Sequence, residues 1–314
     1  MRDTLSIVVS AYNEQDNIRE LYDGIVLALD GLDLKKREII FVDDGSTDKT
    51  ALFVRSLQKR DKSVKLVRMA LNSGHNTAIF AGLAHAKSDA AVIMDADMQH
   101  PPPLIAKMAR LWQKGKNIVR TRRTDNADSS RLYKFMSGIF YRLLNLASDV
   151  KIEKNAPDFM LLDRRHIDRI LKFDERDFLF RGLLAMSARL DGPDSACIAF
   201  KAPSRRHGKT SYNFSKSMRL AWNGILQFST KPLYLALWLA LIFGALAFGL
   251  GMWVIIEKYM LDHPAPGYAT IVCAIAFASA ANMFILAIIG AYVGKIHIES
   301  KKRPLFLAEY TDAQ

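Results

Sequence analysis

The chain has 314 residues and a basic balance, 44 Lys+Arg against 32 Asp+Glu for a formal net charge of +12. That length holds one sizeable domain plus further elements, and the charge points toward nucleic acid, anionic lipid or phosphorylated substrates. Cys197 and Cys273 are the only cysteines, without a Cys-x-x-Cys or Cys/His cluster, which argues against a disulfide framework and a zinc site.

The N-terminal part alternates strand and helix patterns. Leu5–Ala11 is apolar and β-branched, a strand candidate, and Gln15–Leu29 follows with helical spacing. Glu38–Val42 is the next strand and Thr47–Lys59 the next helix, with Ser46 or Thr47 as its cap. Val64–Arg68, the helical His75–Ala86 and the strand Ala90–Met94 continue the alternation. After Pro101 to Pro103 a helix runs to about Lys114, and Asn117–Arg120 reads as a strand. Such alternation predicts an α/β fold, a Rossmann-like, mostly parallel sheet covered by helices. Beyond it, Ser129–Ser148 is amphipathic, Phe159–Leu162 is strand-like, helical segments reach Leu190, and Ser195–Phe200 is a last strand. A basic run follows, from Ser204 to Tyr212. Ser215–Phe228 then mixes apolar residues with Lys216 and Arg219, as a helix lying on a membrane surface does.

Two long uncharged stretches set the broad class. One runs from Pro232 to Ile256 and the other from Pro264 to Gly294. A spanning helix needs about 20 apolar residues, and both suffice; helices of a soluble core rarely lack a polar face for so long. Lys216, Arg219 and Lys231 precede the first, and Lys295, Lys301, Lys302 and Arg303 follow the second. The positive-inside tendency then places both flanks, and with them residues 1–231 and 295–314, in the cytoplasm. Nothing at Met1-Arg2-Asp3-Thr4 resembles a signal peptide. The expected organisation is a catalytic domain over 1–211, a juxtamembrane amphipathic helix over 212–231, two transmembrane helices within 232–294 (about 233–256 and 268–293) and a cytoplasmic tail over 295–314. Gly244, Gly249 and Gly251 could pack helix on helix, which leaves a homo-oligomer open, although small residues are ordinary in spanning helices.

The chemistry concentrates in loops. Ala91–Met94 is an apolar run that ends in Asp95-Ala96-Asp97. Two carboxylates one residue apart on an extended segment point the same way, and Mg²⁺ or Mn²⁺ is often held by one or two carboxylates plus substrate phosphates. In isolation Asp-x-Asp is also a common turn or cap. In a parallel sheet, ligands bind beyond the carboxyl ends of the strands. The loops Tyr12-Asn13-Glu14, Asp43-Asp44-Gly45-Ser46 and Asp95-Ala96-Asp97 therefore share one edge, and their convergence says more than any one of them. No G-x-G-x-x-G or G-x-x-x-x-G-K-[ST] is present, which removes the main support for dinucleotide and P-loop readings.

These pieces assemble into a family. Ala11-Tyr12-Asn13-Glu14, Val42–Asp48, Asn72-Ser73-Gly74-His75, Asp95–Gln99, Phe140–Asn145, the Arg205/Lys209 loop, Phe228-Ser229-Thr230, the two spans and Lys301–Pro304 resemble, in order and spacing, the inverting family 2 glycosyltransferases of GT-A fold. The likeness narrows to the polyisoprenyl-phosphate group, which includes dolichol-phosphate mannose synthases and bactoprenol glucosyltransferases, and it covers nearly the whole chain. It implies transfer of one hexose, with UDP-glucose or a related UDP-sugar as donor, to undecaprenyl or another polyprenyl phosphate at the cytoplasmic face of a bacterial inner membrane, with no nucleic acid involved. Ala11, Tyr12, Glu14, Asp43, Asp44, Asp95 and Ala96 would line the nucleotide sugar, Asp43 reading the base edge. Asp95, Asp97 and Gln99 would hold Mg²⁺ or Mn²⁺ on the diphosphate. Arg122, Arg131, Lys134, Arg205, Lys209 and Ser211 would receive the acceptor phosphate, and Asp97, Asp158, Arg122, Arg205 and Lys209 would carry catalysis.

Several roles keep an alternative. Tyr12 can cover a base or pack at a strand end, Asp44 can be a local turn acceptor, and Asp158 can be a base or only orient a substrate. The chain has Pro157-Asp158-Phe159-Met160 where relatives usually have Gly-Asp-Phe-Arg, so a cation common in the family is missing. A processive polysaccharide synthase is a second reading, but no tryptophan here follows an arginine as that motif requires. A non-catalytic nucleotide-sugar-binding membrane subunit is a third, and the intact Asp95/Asp97 pair speaks against it.

Overall fold

A computed structural model of the chain describes residues 2–124, 157–173, 175, 180–188, 194–201, 203, 231–260 and 267–311. It divides into two units: one comprises 1–145, 150–217 and 304–314, the other 146–149 and 218–303.

In the first unit, β1 (Thr4–Ala11), α1 (Ile18–Asp30), β2 (Lys36–Asp43), α2 (Thr50–Gln58), β3 (Val64–Met69), α3 (His75–His85), β4 (Ala90–Asp95), α4 (Pro103–Gln113) and β5 (Ile118–Arg123) follow the predicted alternation. They are succeeded by β6 (Met160–Asp163), α5 (Arg164–Ile170), α6 (Phe180–Ala188), β7 (Ser195–Phe200) and, after residue 303, β8 (Ala308–Thr311). The eight strands form one sheet in the order β7-β5-β6-β4-β1-β2-β3-β8. Pairings of β1 with β2 and β4, of β2 with β3, and of β5 with β7 are parallel; β6 lies antiparallel between β4 and β5, and β8 antiparallel to β3.

The two-residue period of the strands divides the core. Leu5, Ile7, Val9 and Ala11 of β1 face the layer that holds Ile18, Leu21, Ile25, Met108 and Trp112 of α1 and α4. Val8, Ile40 and Val42 face the layer that holds Ile79, Phe80 and Leu83 of α3 and Phe180 of α6. A Cβ at Gly82 would overlap Val8 Cγ1 and come within 2.9 Å of Val42 Cγ2, so the missing side chain is what lets α3 lie this close to the sheet. Glu38 is a charge buried in this sheet. Glu38 receives Ser6 Oγ at 2.5 Å, Lys65 Nζ at 2.7 Å, Lys87 N–H at 2.9 Å and Ser88 Oγ at 3.2 Å. Burial works to raise its pKa, but Lys65 and these donors prevail and lower it.

The expected strand near 159–162 forms over 160–163, enters antiparallel and separates β4 from β5. One feature departs from expectation. Residues 304–311, expected as a plain tail, return to the sheet: Leu307 O accepts Ala70 N–H at 2.8 Å, Leu305 and Phe306 pack on the α3 side of the core, and Glu309 meets Arg68 at 3.3 Å.

The second unit contains α7 (Lys231–Met260) and α8 (Tyr268–Ser300), a little longer than expected. Both are long and apolar enough to cross a membrane. Trp238, Leu246, Phe248, Trp253, Phe277 and Met283 face outward, and Phe243 stacks edge-on against Phe277 at 5.1 Å.

Candidate active site at the carboxyl edge of the sheet

The register brings the predicted loops together. Ala11 pairs with Asp43 and Ser10 with Asp95, so β1, β2 and β4 end level. Asp44 N–H donates to Ala11 O at 2.9 Å and Ala96 N–H to Ser10 O at 3.0 Å, which locks the three exits side by side.

On the β1–β2 side, Tyr12 is 46% exposed, its ring free to meet a ligand. Asn13 takes a positive φ of 55°, and its Oδ1 accepts Thr47 N–H at 2.9 Å. Glu14 N–H donates to Thr50 Oγ1 at 3.0 Å, and its carboxylate accepts Asn17 Nδ2 at 2.5 Å. Asp43 is 1% exposed; its Oδ1 accepts Ser46 N–H at 3.0 Å, while Oδ2 has no hydrogen bond among the described residues, with Arg68 Nε 3.5 Å away. A buried carboxylate oxygen is expensive to leave without a hydrogen bond, and this one, with only the long ion pair to Arg68, is suited to the N–H of a base edge. Asp44 is occupied differently: its two oxygens accept Ser73 N–H at 2.8 Å and Gly74 N–H at 3.0 Å, and burial pushes its pKa up. The local-turn alternative for Asp44 thus becomes a longer-range one, a brace on the loop before α3.

On the β4 side, Asp95 Oδ1 accepts Ser10 Oγ at 2.9 Å and stands 3.5 Å from His75 Nδ1. His100 is buried, stacked on Phe159 at 4.9 Å, and its Nδ1 accepts Asp95 N–H at 2.9 Å. A nitrogen that accepts there carries no proton, and burial lowers the imidazole pKa, so the 3.8 Å approach to Asp95 Oδ2 is no ion pair. Asp97 is buried and accepts Gln99 N–H at 3.1 Å across Met98, whose φ is 62°. Gln99 Oε1 accepts Arg123 Nη2 at 3.2 Å.

No group of three His, Cys, Asp or Glu able to hold a metal occurs among the described residues. The donor set is instead two adjacent carboxylates at a strand end. That fits a hard divalent cation whose remaining ligands are substrate phosphates and water, and does not fit a preformed protein cage.

Asp158 comes from the loop before β6. Arg181 of α6 grips it in a fork, Nε to Oδ1 at 2.8 Å and Nη2 to Oδ2 at 3.2 Å, and His75 Nε2 lies 3.2 Å from Oδ2. Burial opposes the charge, but Arg181 and His75 outweigh it and hold the carboxyl well below the usual range. For His75, burial again opposes charge, and Asp95 and Asp158 overcome it, pushing the imidazole up to about 9. The donor pattern agrees: Nε2 faces an acceptor-only carboxylate, and Nδ1 faces Asp95 and a Ser10 hydroxyl, 3.2 Å away, whose proton is directed to Asp95.

Among the basic candidates, Arg122 is exposed on β5, and its neighbour Arg123 is the one that reaches Gln99. Arg131, Lys134, Arg205, Lys209 and Ser211, and the amphipathic segments at 129–148 and 212–230, lie outside the described residues. Sequence reasoning does not single out Ser10, Arg68, His100 or Arg181, and it places His75 only in a motif and at the start of a helix. The position of Asn72-Ser73-Gly74-His75 after β3, at the same sheet edge, was the available signal.

Comparisons with known proteins agree with this arrangement. The family model described as glycosyl transferase family 2 matches residues 6–171. A prophage bactoprenol glucosyl transferase homolog of Escherichia coli is 32% identical over 96% of this chain and 97% of its own length. The bactoprenol glucosyl transferase of Shigella phage SfV matches equally, 32% over 96% and 97%. An uncharacterized glycosyltransferase of Synechocystis is 32% identical over 96% of this chain and 94% of its own. Among solved structures, glucosyl-3-phosphoglycerate synthase of Mycobacterium tuberculosis covers 71% of this chain and 78% of its own at 17% identity and a TM-score of 0.49, too slight a likeness to build on. The mostly parallel sheet and the family match together bear out the GT-A expectation.

Proposed function

The chain belongs to glycosyl transferase family 2, and from that premise we propose that it moves one hexose from a nucleotide sugar to a polyprenyl phosphate in a membrane. The observation that carries the reading is the meeting, at one sheet edge, of a buried carboxylate, Asp43, whose Oδ2 has a long ion pair to Arg68 but no hydrogen bond among the described residues, and the carboxylate pair Asp95 and Asp97. The first suits a nucleobase and the second a metal-bound diphosphate.

The donor's base would sit between Tyr12 and Asp43 Oδ2, with its diphosphate over Asp95 and Asp97. A divalent cation held there would supply charge neutralisation to the leaving diphosphate and orient it. An acceptor phosphate oxygen attacks C1 of the sugar, the bond from C1 to the diphosphate oxygen breaks, and the nucleoside diphosphate leaves with that electron pair. One displacement inverts the anomeric centre. A phosphate monoester has a second pKa of about 6, so the acceptor is already an anion near neutral pH and needs placement more than deprotonation. Asp158, held as an anion by Arg181 and His75, is poorly suited to take a proton and well suited to orient.

The acceptor class is supported by relatives named bactoprenol glucosyl transferases over almost the whole chain and by two apolar helices whose outward side chains have no polar face to offer water. Membrane insertion with both flanks on one side is supported by β8, which follows α8 in sequence and completes the sheet begun by β1. Purified protein offered UDP-glucose, UDP-GlcNAc, UDP-galactose and GDP-mannose with undecaprenyl phosphate tests the donor. UDP-glucose should give the lipid-linked sugar; exclusive use of GDP-mannose would overturn the assignment of a UDP-sugar.

A further inference from the structure

We propose that His75 is a positioning residue for sugar transfer, fixing the donor-side carboxylate Asp95 and the acceptor-side carboxylate Asp158 in one relation. This rests on the glycosyl-transfer reading of the same site.

The ring is shared between two halves of the site that the chain supplies separately. Its Nδ1 lies 3.2 Å from Ser10 Oγ and 3.5 Å from Asp95 Oδ1, at the ends of β1 and β4. Its Nε2 lies 3.2 Å from Asp158 Oδ2, in the loop before β6, where Arg181 holds both oxygens. Ser10 Oγ closes a triangle by donating to Asp95 Oδ1 at 2.9 Å. Both carboxylates are therefore referred to one imidazole.

The ring itself has a rigid mount. His75 opens α3 directly after Gly74, whose φ is 94°. The turn is fastened by Asp44, which takes the Ser73 and Gly74 N–H groups at 2.8 and 3.0 Å. The helix is fixed behind it by Gly82, where α3 presses against Val8 and Val42.

In an in-line transfer the leaving diphosphate and the attacking phosphate must be placed together, and a misplacement of about 1 Å can cost about 100-fold in rate. A side chain that sets the distance between the two carboxylates governs that alignment without touching the reacting atoms.

The test compares wild-type full-length protein with H75A and H75Q in detergent–lipid micelles. Three quantities are read: kcat for transfer, the Mn²⁺ concentration giving half-maximal activity, and UDP binding by calorimetry with and without Mn²⁺. H75A should lower kcat by about 100-fold, raise the Mn²⁺ requirement severalfold and lose the Mn²⁺-dependent gain in UDP affinity. UDP binding without metal should stay within about twofold, because Asp43 and Tyr12 are untouched. H75Q, which keeps an N–H donor of similar reach, should recover part of each loss. Wild-type kcat and Mn²⁺ dependence in H75A would overturn the proposal. So would equal loss of metal-free UDP binding in both variants, since the ring would then only support the fold. If the wild type transfers no sugar to polyprenyl phosphate, the reaction reading fails. The Mn²⁺-dependent gain in UDP affinity still decides the role of His75: its loss in H75A supports positioning, and its retention refutes it.

Discussion

At the scale of single residues, the carboxyl edge stores charge in a way that pH should expose. The folded imidazole of His75 titrates near 9 against an ordinary 6.5, because Asp95 and Asp158 outweigh the cost of burying it. A raised folded pKa stabilises fully below the unfolded value and is lost as pH climbs through the folded one. In chelator, to keep metal off Asp95, unfolding free energy should therefore fall between pH 6.5 and about 9, and H75A should flatten that slope. The ring is partly open to water, so the difference should be on the order of 1 kcal/mol. Parallel wild-type and H75A curves in urea titrations across this range would refute it. Asp95 and Asp97 were legible because an apolar strand that stops at two aspartates is a local pattern. The His75–Asp158 contact joins residues 83 positions apart and depends on where an antiparallel strand enters, which no local pattern records.

At the scale of elements, α3 and β8 carry the sharpest expectations. In Gly82→Ala the added methyl would meet Val8 and Val42, short strand side chains with little room to give. Overpacking of this kind costs about 1–3 kcal/mol, more than the roughly 1 kcal/mol that Ala gains over Gly in a helix. Calorimetry should show a lowered melting temperature; an unchanged or raised one would contradict the close approach. For β8, hydrogen exchange at Ala70 reports directly, since its N–H is held by Leu307 O at 2.8 Å. Ending the chain after Arg303 should speed that exchange by at least an order of magnitude while leaving Val8 and Val92 of the central strands protected. Equal protection at Ala70 in both proteins would refute the pairing. Periodicity revealed β1 to β4 and their helices, because each buries an alternating or apolar face. It did not reveal that Ala308–Thr311 is a strand, since four residues without an apolar run gain their structure only by pairing with β3.

At the scale of the whole molecule, the basic balance, the two apolar helices and the sheet edge suit the proposed reaction, in which an anionic donor would meet an anionic lipid at a membrane. The apolar stretches were legible from hydropathy alone, as was the family from the order of its motifs. Of the cations proposed for the acceptor phosphate, Arg122 was legible only as a residue type, because a strand sends it and its neighbour Arg123 to opposite faces, and it is Arg123 that reaches Gln99. The most direct test follows radiolabelled glucose from UDP-glucose in the full-length protein with undecaprenyl phosphate and Mn²⁺ or Mg²⁺. Label should enter the organic phase as a single-sugar lipid, only when lipid phosphate and cation are both present, and D97A should reduce it by about 100-fold or more. Label appearing instead in a water-soluble polymer, or entering the lipid equally well with D97A, would contradict the account.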